Sequence, residues 1–189
     1  MDILAPWAEP VLMTAKELLH LPDDEWRYEL VEGRRVRMSP IGGRHGRIVM
    51  ALLPALHRFV DKNHLGEIFP PETGFWISPE SEPDTVLPPD LAFVSLAQAV
   101  DSEVEGYPRL APDLVVEVAS PSQGQKQMGA KARRWLDAGT RLVWIVLPET
   151  RTVQVWHPVG PVRILTDESE LNGGDILPGF AYPVARLFS

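Results

Sequence analysis

The sequence predicts an α/β domain with a mixed sheet, in the order helix, three strands, helix, strand, with additions at both ends. Three observations predict it. Apolar residues recur at helical spacing between His45 and His64, through Ile48, Leu52, Leu56, Phe59 and Val60. Three strand-like stretches follow at 67–77, 86–94 and 113–119, separated by a Pro/Glu-rich segment at 78–83 and an acidic loop at 101–107. A second helix then ends at Gly139, ahead of the continuous apolar run 142–147, which has the signature of a strand buried on both faces.

Each element has a local reason. The first ten residues carry two prolines and no period, so residues 1–12 read as a mobile tail ahead of one domain spanning 13–189. Thr14-Ala15-Lys16-Glu17 is a capping box that should open a short helix ending before Pro22. Residues 28–32 and 35–38 flank Gly33 as a hairpin. Pro54 interrupts the 45–64 stripe and removes a backbone donor, at about 3 kcal/mol in a helix interior. The stripe resumes on the same face, so the helix is expected to continue. Ser122-Gln123-Gly124-Gln125 is a second capping-box pattern, with Ser122 as the cap. Residues 152–156 and 162–165 add a hairpin, and Ile176, Phe180, Val184 and Leu187 are placed to pack back on the core.

Composition narrows the function classes. The 189 residues are 44% apolar, enough for one sizeable core, and no apolar run approaches the roughly 18 residues of a membrane helix. The start of the chain lacks the basic-then-apolar pattern of a signal peptide, and there is no cysteine. Disulfides, thiolate metal sites and cysteine nucleophiles are thereby excluded, which suits a cytoplasmic protein. A net charge of −8 argues against a general electrostatic attraction to nucleic acid. Its distribution leaves room for a local one. No acid lies between Gly33 and Val60, where Arg34, Arg35, Arg37, Arg44, Arg47 and Arg58 supply six positive charges. From Asn63 to Pro108 there is no Lys or Arg but nine acids, and basic residues return with Lys126, Lys131, Arg133 and Arg134. An acidic patch between basic flanks suits a metal site facing a polyanion, and equally suits solvated faces.

The chemistry-bearing residues stand out as misfits. On strand 113–119, period two puts Asp113, Val115, Glu117 and Ala119 on one face. Glu117 is then a carboxylate in an apolar strand, costly unless paired or metal-bound. Asp90 is the same oddity among Leu87, Leu91, Phe93 and Val94. Two such acids on neighbouring strands would suit magnesium or manganese, which prefer oxygen ligands. Lys131 lies three residues after Met128 and four before Trp135, so it shares their buried stripe and needs an acidic partner. An internal salt bridge without chemistry meets the same requirement.

At this point the residues resemble a family. Tyr28-Glu29-Leu30-Val31-Glu32-Gly33, Met38-Ser39-Pro40, His45, Pro89-Asp90-Leu91, Phe93-Val94-Ser95, Pro112-Asp113-Leu114-Val115-Val116-Glu117-Val118, Ser120-Pro121-Ser122, Lys131, Gly139 and Trp144-Ile145-Val146 occur in an order similar to that of the Uma2-like restriction endonuclease family, a branch of the PD-(D/E)XK nuclease superfamily. The resemblance implies a restriction-endonuclease-like fold and metal-dependent hydrolysis of phosphodiester bonds, in DNA, by a homo-oligomer (a dimer or higher). Asp90 would be the first acid and Glu117 the second. With the Val118 carbonyl they would hold Mg2+ or Mn2+. The superfamily lysine position is Ala119 here, and Lys131 looks like its migrated replacement, orienting the water or countering phosphate charge. Glu29 would add a ligand or hydrogen bond, or be an edge-strand surface acid. His45 would serve as a base or phosphate contact, or as a local hydrogen-bond partner. Two further departures are Gln127, where the family often has aspartate, and Leu147-Pro148, where it often has Asp-Pro.

Other readings stay open on these residues. Arg44 and Arg47 are candidate phosphate contacts or a solvated helix end, and Asp113, at the first strand position, suits a turn or cap. Trp135 and Trp144 fall in core positions and Trp76 and Trp156 in strands, so packing explains them better than base stacking. Gly42-Gly43 lacks a Walker pattern, and Ser120 and Ser122 lack a hydrolase elbow. The alternatives to a nuclease are a catalytically inactive nuclease-fold protein binding nucleic acid or protein, and a metal-dependent hydrolase of small phosphate esters.

Overall fold

The computed structural model describes residues 11–22, 25–98, 105–121 and 123–189. The expected tail at 1–10, the cap at Ser122 and the start of the acidic loop at 101–104 lie outside the described residues. The chain runs α1 (Ala15–Leu19), β1 (Tyr28–Val31), β2 (Arg34–Arg37), α2 (Gly43–Lys62), β3 (Gly66–Phe69), β4 (Phe75–Trp76), β5 (Val86–Leu87) and β6 (Leu91–Ser95). It continues through β7 (Leu114–Val118), α3 (Gln125–Asp137), β8 (Leu142–Leu147), β9 (Thr152–Trp156), β10 (Arg163–Leu165), β11 (Glu170–Gly173) and β12 (Leu177–Pro183), and closes in a 3-10 helix, Val184–Phe188. Among the described residues no helix is long and apolar enough to cross a membrane.

The central sheet has the order β10-β9-β8-β7-β6-β3. Only β7 and β8 pair in parallel, because α3 carries the chain between them; the remaining neighbours are antiparallel. The sheet is therefore mixed, as expected. Alternate residues send side chains to opposite faces. Leu91, Phe93, Leu114, Val116, Val118 and Trp144 pack under Ile48, Leu52 and Leu56 of α2, together with Phe180, Val184 and Leu187 from the chain's end. Val115, Val143 and Ile145 pack under Met128, Ala132 and Trp135 of α3. Pro54 is accommodated because it faces solvent, so the Met50 carbonyl it leaves without a helical donor sits on the exposed side.

Two expected strands are each two strands. The stretch 67–77 divides into β3 and β4, and 86–94 into β5 and β6, with β4 and β5 in a separate sheet of order β2-β1-β5-β4. Pro70-Pro71 and Pro88-Pro89 are the reason, since a proline cannot donate to a ladder and ends the pairing where it falls. Asp90 is thus not a strand residue; it occupies the corner where the chain leaves the small sheet for the large one. At the β1–β2 turn, Glu32 and Gly33 both have positive φ (51° and 72°), the primed turn that matches strand twist. The α1 box forms as expected, and the Ala15 N–H donates to Asp84 Oδ2 at 2.7 Å. On α3 the cap is two residues later than expected: Gly124 has no side chain to accept a bond, so only half of a box forms, Gln127 Oε1 accepting from the Gly124 N–H at 3.2 Å.

Asp113 anchors the start of β7. Burial works against its charge, but Oδ2 accepts from the Ser95 N–H at 2.8 Å and from Gln98 Nε2 at 2.9 Å, and Arg141 lies 3.5 Å from Oδ1. The bonds outweigh the burial and hold its pKa below the ordinary 3.8. Its stabilising contribution is therefore present above that value and lost as pH falls below it. Asp113→Ala should cost about 2 kcal/mol at neutral pH, read from urea denaturation, and progressively less in acid.

Candidate active site

The site begins with Glu117 in the middle of β7, on the face covered by α3, with a side chain only 4% exposed. A buried carboxylate needs donors for both oxygens. Trp135 Nε1 donates to Oε1 at 2.9 Å, and Lys131 Nζ lies 2.9 Å from Oε2. Both donors come from α3, where residues four apart stand one above the other along the same face. Trp135 had an obvious packing role, and its chemical one was concealed by it. The available signal was its i+4 relation to Lys131.

Asp90 is fixed from three sides. Its own N–H donates to the Val116 carbonyl at 3.1 Å, the Val118 N–H donates to Oδ2 at 2.6 Å, and His45 Nε2 sits 2.8 Å from Oδ1. A carboxylate can only accept, so Nε2 carries the hydrogen, and buried Nδ1 has no partner among the described residues. His45 is the third residue of α2, whose first turn is thereby set against the end of the sheet where β6 begins. Glu29 arrives from β1, with Oε2 3.8 Å from Lys131 Nζ. The structure thus brings Asp90, Glu117, Lys131, Glu29 and His45 into one cluster built from β1, α2, the β5–β6 corner, β7 and α3.

Three carboxylates face one ammonium, and that imbalance sets the electrostatics. Burial pushes the Glu117 carboxyl up to about 7; Lys131 opposes the shift and Asp90 adds to it. Burial disfavours the Lys131 ammonium, but Glu117, Glu29 and Asp90 together outweigh it and raise its pKa above the ordinary 10.5. The two shifts have different causes: the Glu117 shift is mainly the cost of burying its charge, and the Lys131 shift reports the acids around it, so the cluster favours a bound proton or cation. Asp90, Lys131 and Glu29 are 17%, 16% and 20% exposed in their side chains, so the cluster opens to solvent on their side.

The donor set suits a hard divalent cation. Each carboxylate oxygen of Asp90 and Glu117 keeps a lone pair beyond the bond described, and excess negative charge is what such an ion neutralises. The Val118 N–H points to Asp90, and a strand residue's carbonyl lies on the same side as its N–H, so this backbone oxygen also faces the acid. Among the described residues no three Asp, Glu or His side chains close on one point; Lys131 stands between Glu117 and Glu29.

The remaining candidates lie further out. Arg44 bonds Glu149 at 3.1 Å and the Pro148 carbonyl, tying α2 to the end of β8. Arg47, one turn on, is exposed. Asp113 shares the Glu117 face but is engaged at the other end of β7, the cap role expected for it.

The family's sequence profile, described as "Putative restriction endonuclease" and named Uma2, matches residues 15–185. The chain belongs to the Uma2 family. Its fold is similar to that of a crystal structure described as "a putative nuclease belonging to DUF820 from Anabaena variabilis ATCC 29413", with a TM-score of 0.80 and 21% identity. That likeness covers 93% of this chain and 97% of the other, and it shows the restriction-endonuclease-like fold. No curated protein matches the chain.

The Uma2 cluster has a pH signature. A carboxyl held above its ordinary 4.5 contributes stability that is complete below that value and is lost as pH rises through about 7. Lys131→Met should therefore cost about 3 kcal/mol at pH 8, where Glu117 is charged and would be left unpaired. At pH 5, where Glu117 holds a proton, the same substitution should cost about 1 kcal/mol or less, measured by denaturation at both values.

Proposed function

We propose that the protein is a metal-dependent nuclease that hydrolyses phosphodiester bonds, with DNA as its substrate. The observation supporting this reading most directly is the convergence of Asp90, Glu117 and Lys131 at one solvent-reachable opening with excess negative charge. In this reading Asp90, Glu117 and the Val118 carbonyl hold Mg2+ or Mn2+. When bound, such an ion lowers the pKa of a water and offsets charge building on the phosphate. Lys131 orients the attacking water and donates to a phosphate oxygen, acting as a point charge. Trp135 holds the Glu117 carboxylate in one orientation, and His45 does the same for Asp90, each through a single N–H bond. Glu117 and, at 3.8 Å, Glu29 together favour the charged form of Lys131. Cleavage of both strands calls for two such sites, which a homo-oligomer of dimer size or larger supplies.

A second reading has its own observation. Every oxygen of Asp90 and Glu117 already has a protein partner, as a purely structural ion-pair network would require. The protein would then be a catalytically inactive nuclease-fold module that binds nucleic acid or protein.

Metal uptake separates the two. Wild-type protein should bind Mn2+ by calorimetry and nick supercoiled plasmid, and Glu117→Ala or Asp90→Ala should remove both properties. Lys131→Met should retain Mn2+ binding while nicking falls by about 10² to 10³, the loss seen when one charge-stabilising donor is removed. Wild-type protein that takes up no divalent ion would leave the binding module.

A further inference from the structure

We propose that the β1–β2 hairpin is the arm that grips the phosphodiester backbone of the nucleic acid, through Arg34, Arg35 and Arg37. The proposal rests on the nuclease reading for its substrate class and goes beyond it in naming the surface.

β2 is the outer strand of its sheet, and all four of its residues are exposed. Three of the four are arginines. Among the described residues none of the three pairs with an acid, although the chain as a whole carries a charge of −8. Like charges packed this closely on one strand repel unless an anion lies between them, so their concentration here needs a reason. Position supplies one. β2 pairs with β1 in a register that sets Val36 opposite Glu29, the residue that reaches Lys131. The arginines therefore stand one strand spacing, about 4.8 Å, outside the strand that contributes to the acidic cluster. A polyanion entering that cluster meets three carboxylates and one lysine, and it needs positive charge at the rim to approach at all.

The arginines are also arranged to bind. Arg35 lies over the Tyr28 ring at 4.4 Å, and Arg37 lies over the Trp26 ring. A guanidinium held over an aromatic ring loses less freedom on binding phosphate. Arg35 and Arg37 share one face at a spacing of about 6.7 Å, comparable with the step between successive phosphates of one strand. Arg34 points to the other face, the one Glu29 uses, so the hairpin edge offers donors on both sides. The first turn of α2, which carries His45 to Asp90, is nearly bare: a Cβ at Gly42, Gly43 or Gly46 would meet nothing within 4 Å. Of the three arginines, Arg34 is the one on the Glu29 face, and Arg35 and Arg37 extend the basic edge onto the face that Leu30 and Tyr28 share.

The test measures binding apart from cleavage. A fluorescein-labelled 30-base-pair duplex is titrated by anisotropy in EDTA across a series of NaCl concentrations. The proteins compared are wild type, Arg34→Gln/Arg35→Gln/Arg37→Gln, Arg35→Gln/Arg37→Gln and Lys131→Met. Loss of three phosphate contacts should lower affinity at least tenfold at low salt and reduce the log–log salt slope by about two to three. The double variant should lie between. With Mg2+ the hairpin variants should show a raised KM for plasmid nicking and a nearly unchanged rate at saturating DNA. Wild-type affinity and slope in the hairpin variants overturn the proposal, and so do variants that only aggregate, since the arginines would then serve to protect the strand edge. Displacement of the duplex by polyglutamate as readily as by unlabelled DNA would also overturn it, in favour of an acidic peptide partner. Hairpin-dependent binding by a wild-type protein that never cleaves would uphold the arm and sink the nuclease.

Discussion

A single buried carboxylate organises this fold. Glu117 sits on the central parallel strand with apolar neighbours on its face, where an ionised group is stable only if both oxygens are bonded and an opposite charge is close. Meeting that requirement places α3: its Lys131 and Trp135 have to stand over β7 together, which fixes the helix in rotation as well as in position. The parallel crossover from β7 to β8 follows from the same placement. Because Asp90 and Glu29 add two more acids than Lys131 can neutralise, the arrangement that stabilises the fold also leaves an unsatisfied demand for positive charge.

The second constraint is the proline punctuation of the middle of the chain. Pro70-Pro71 and Pro88-Pro89 end ladders in two places, and the segment between them forms a small sheet with the β1–β2 hairpin instead of extending the large one. This diversion carries Glu29 to the cluster. It also frees the Asp90 backbone from regular pairing, so that its carboxylate can turn toward the Val118 N–H while its own N–H still bonds Val116. A continuous strand through this stretch would have held Asp90 in a ladder and kept β1 away.

Charge is organised on the same plan. Acids gather in the cluster, arginines concentrate on β2 and at the start of α2, and one of these, Arg44, is spent on Glu149 and the Pro148 carbonyl. Gln127 and Leu147, the two positions where the sequence departs from the pattern it resembles, lie outside the bonded cluster. Gln127 has a local task, accepting from the Gly124 N–H at the start of α3.

Local patterns in the sequence determined much of this molecule. The α1 capping box, the helical stripe that carries α2 past Pro54, the alternation that put Glu117 with Val115, and the continuous run of β8 each depend on neighbours within a few residues, and each was legible for that reason. The misfit residues Asp90, Glu117 and Lys131 were legible too, because a charge inside an apolar period is visible without coordinates. Only the tertiary structure decided which partners those charges found. The bond from Trp135 to Glu117, the bond from Val118 to Asp90, the approach of His45 and the arrival of Glu29 at Lys131 join residues 18 to 102 positions apart. The splitting of two strands at their proline pairs belongs to the same class, since what the freed segments pair with is settled by sheet edges that local spacing does not encode.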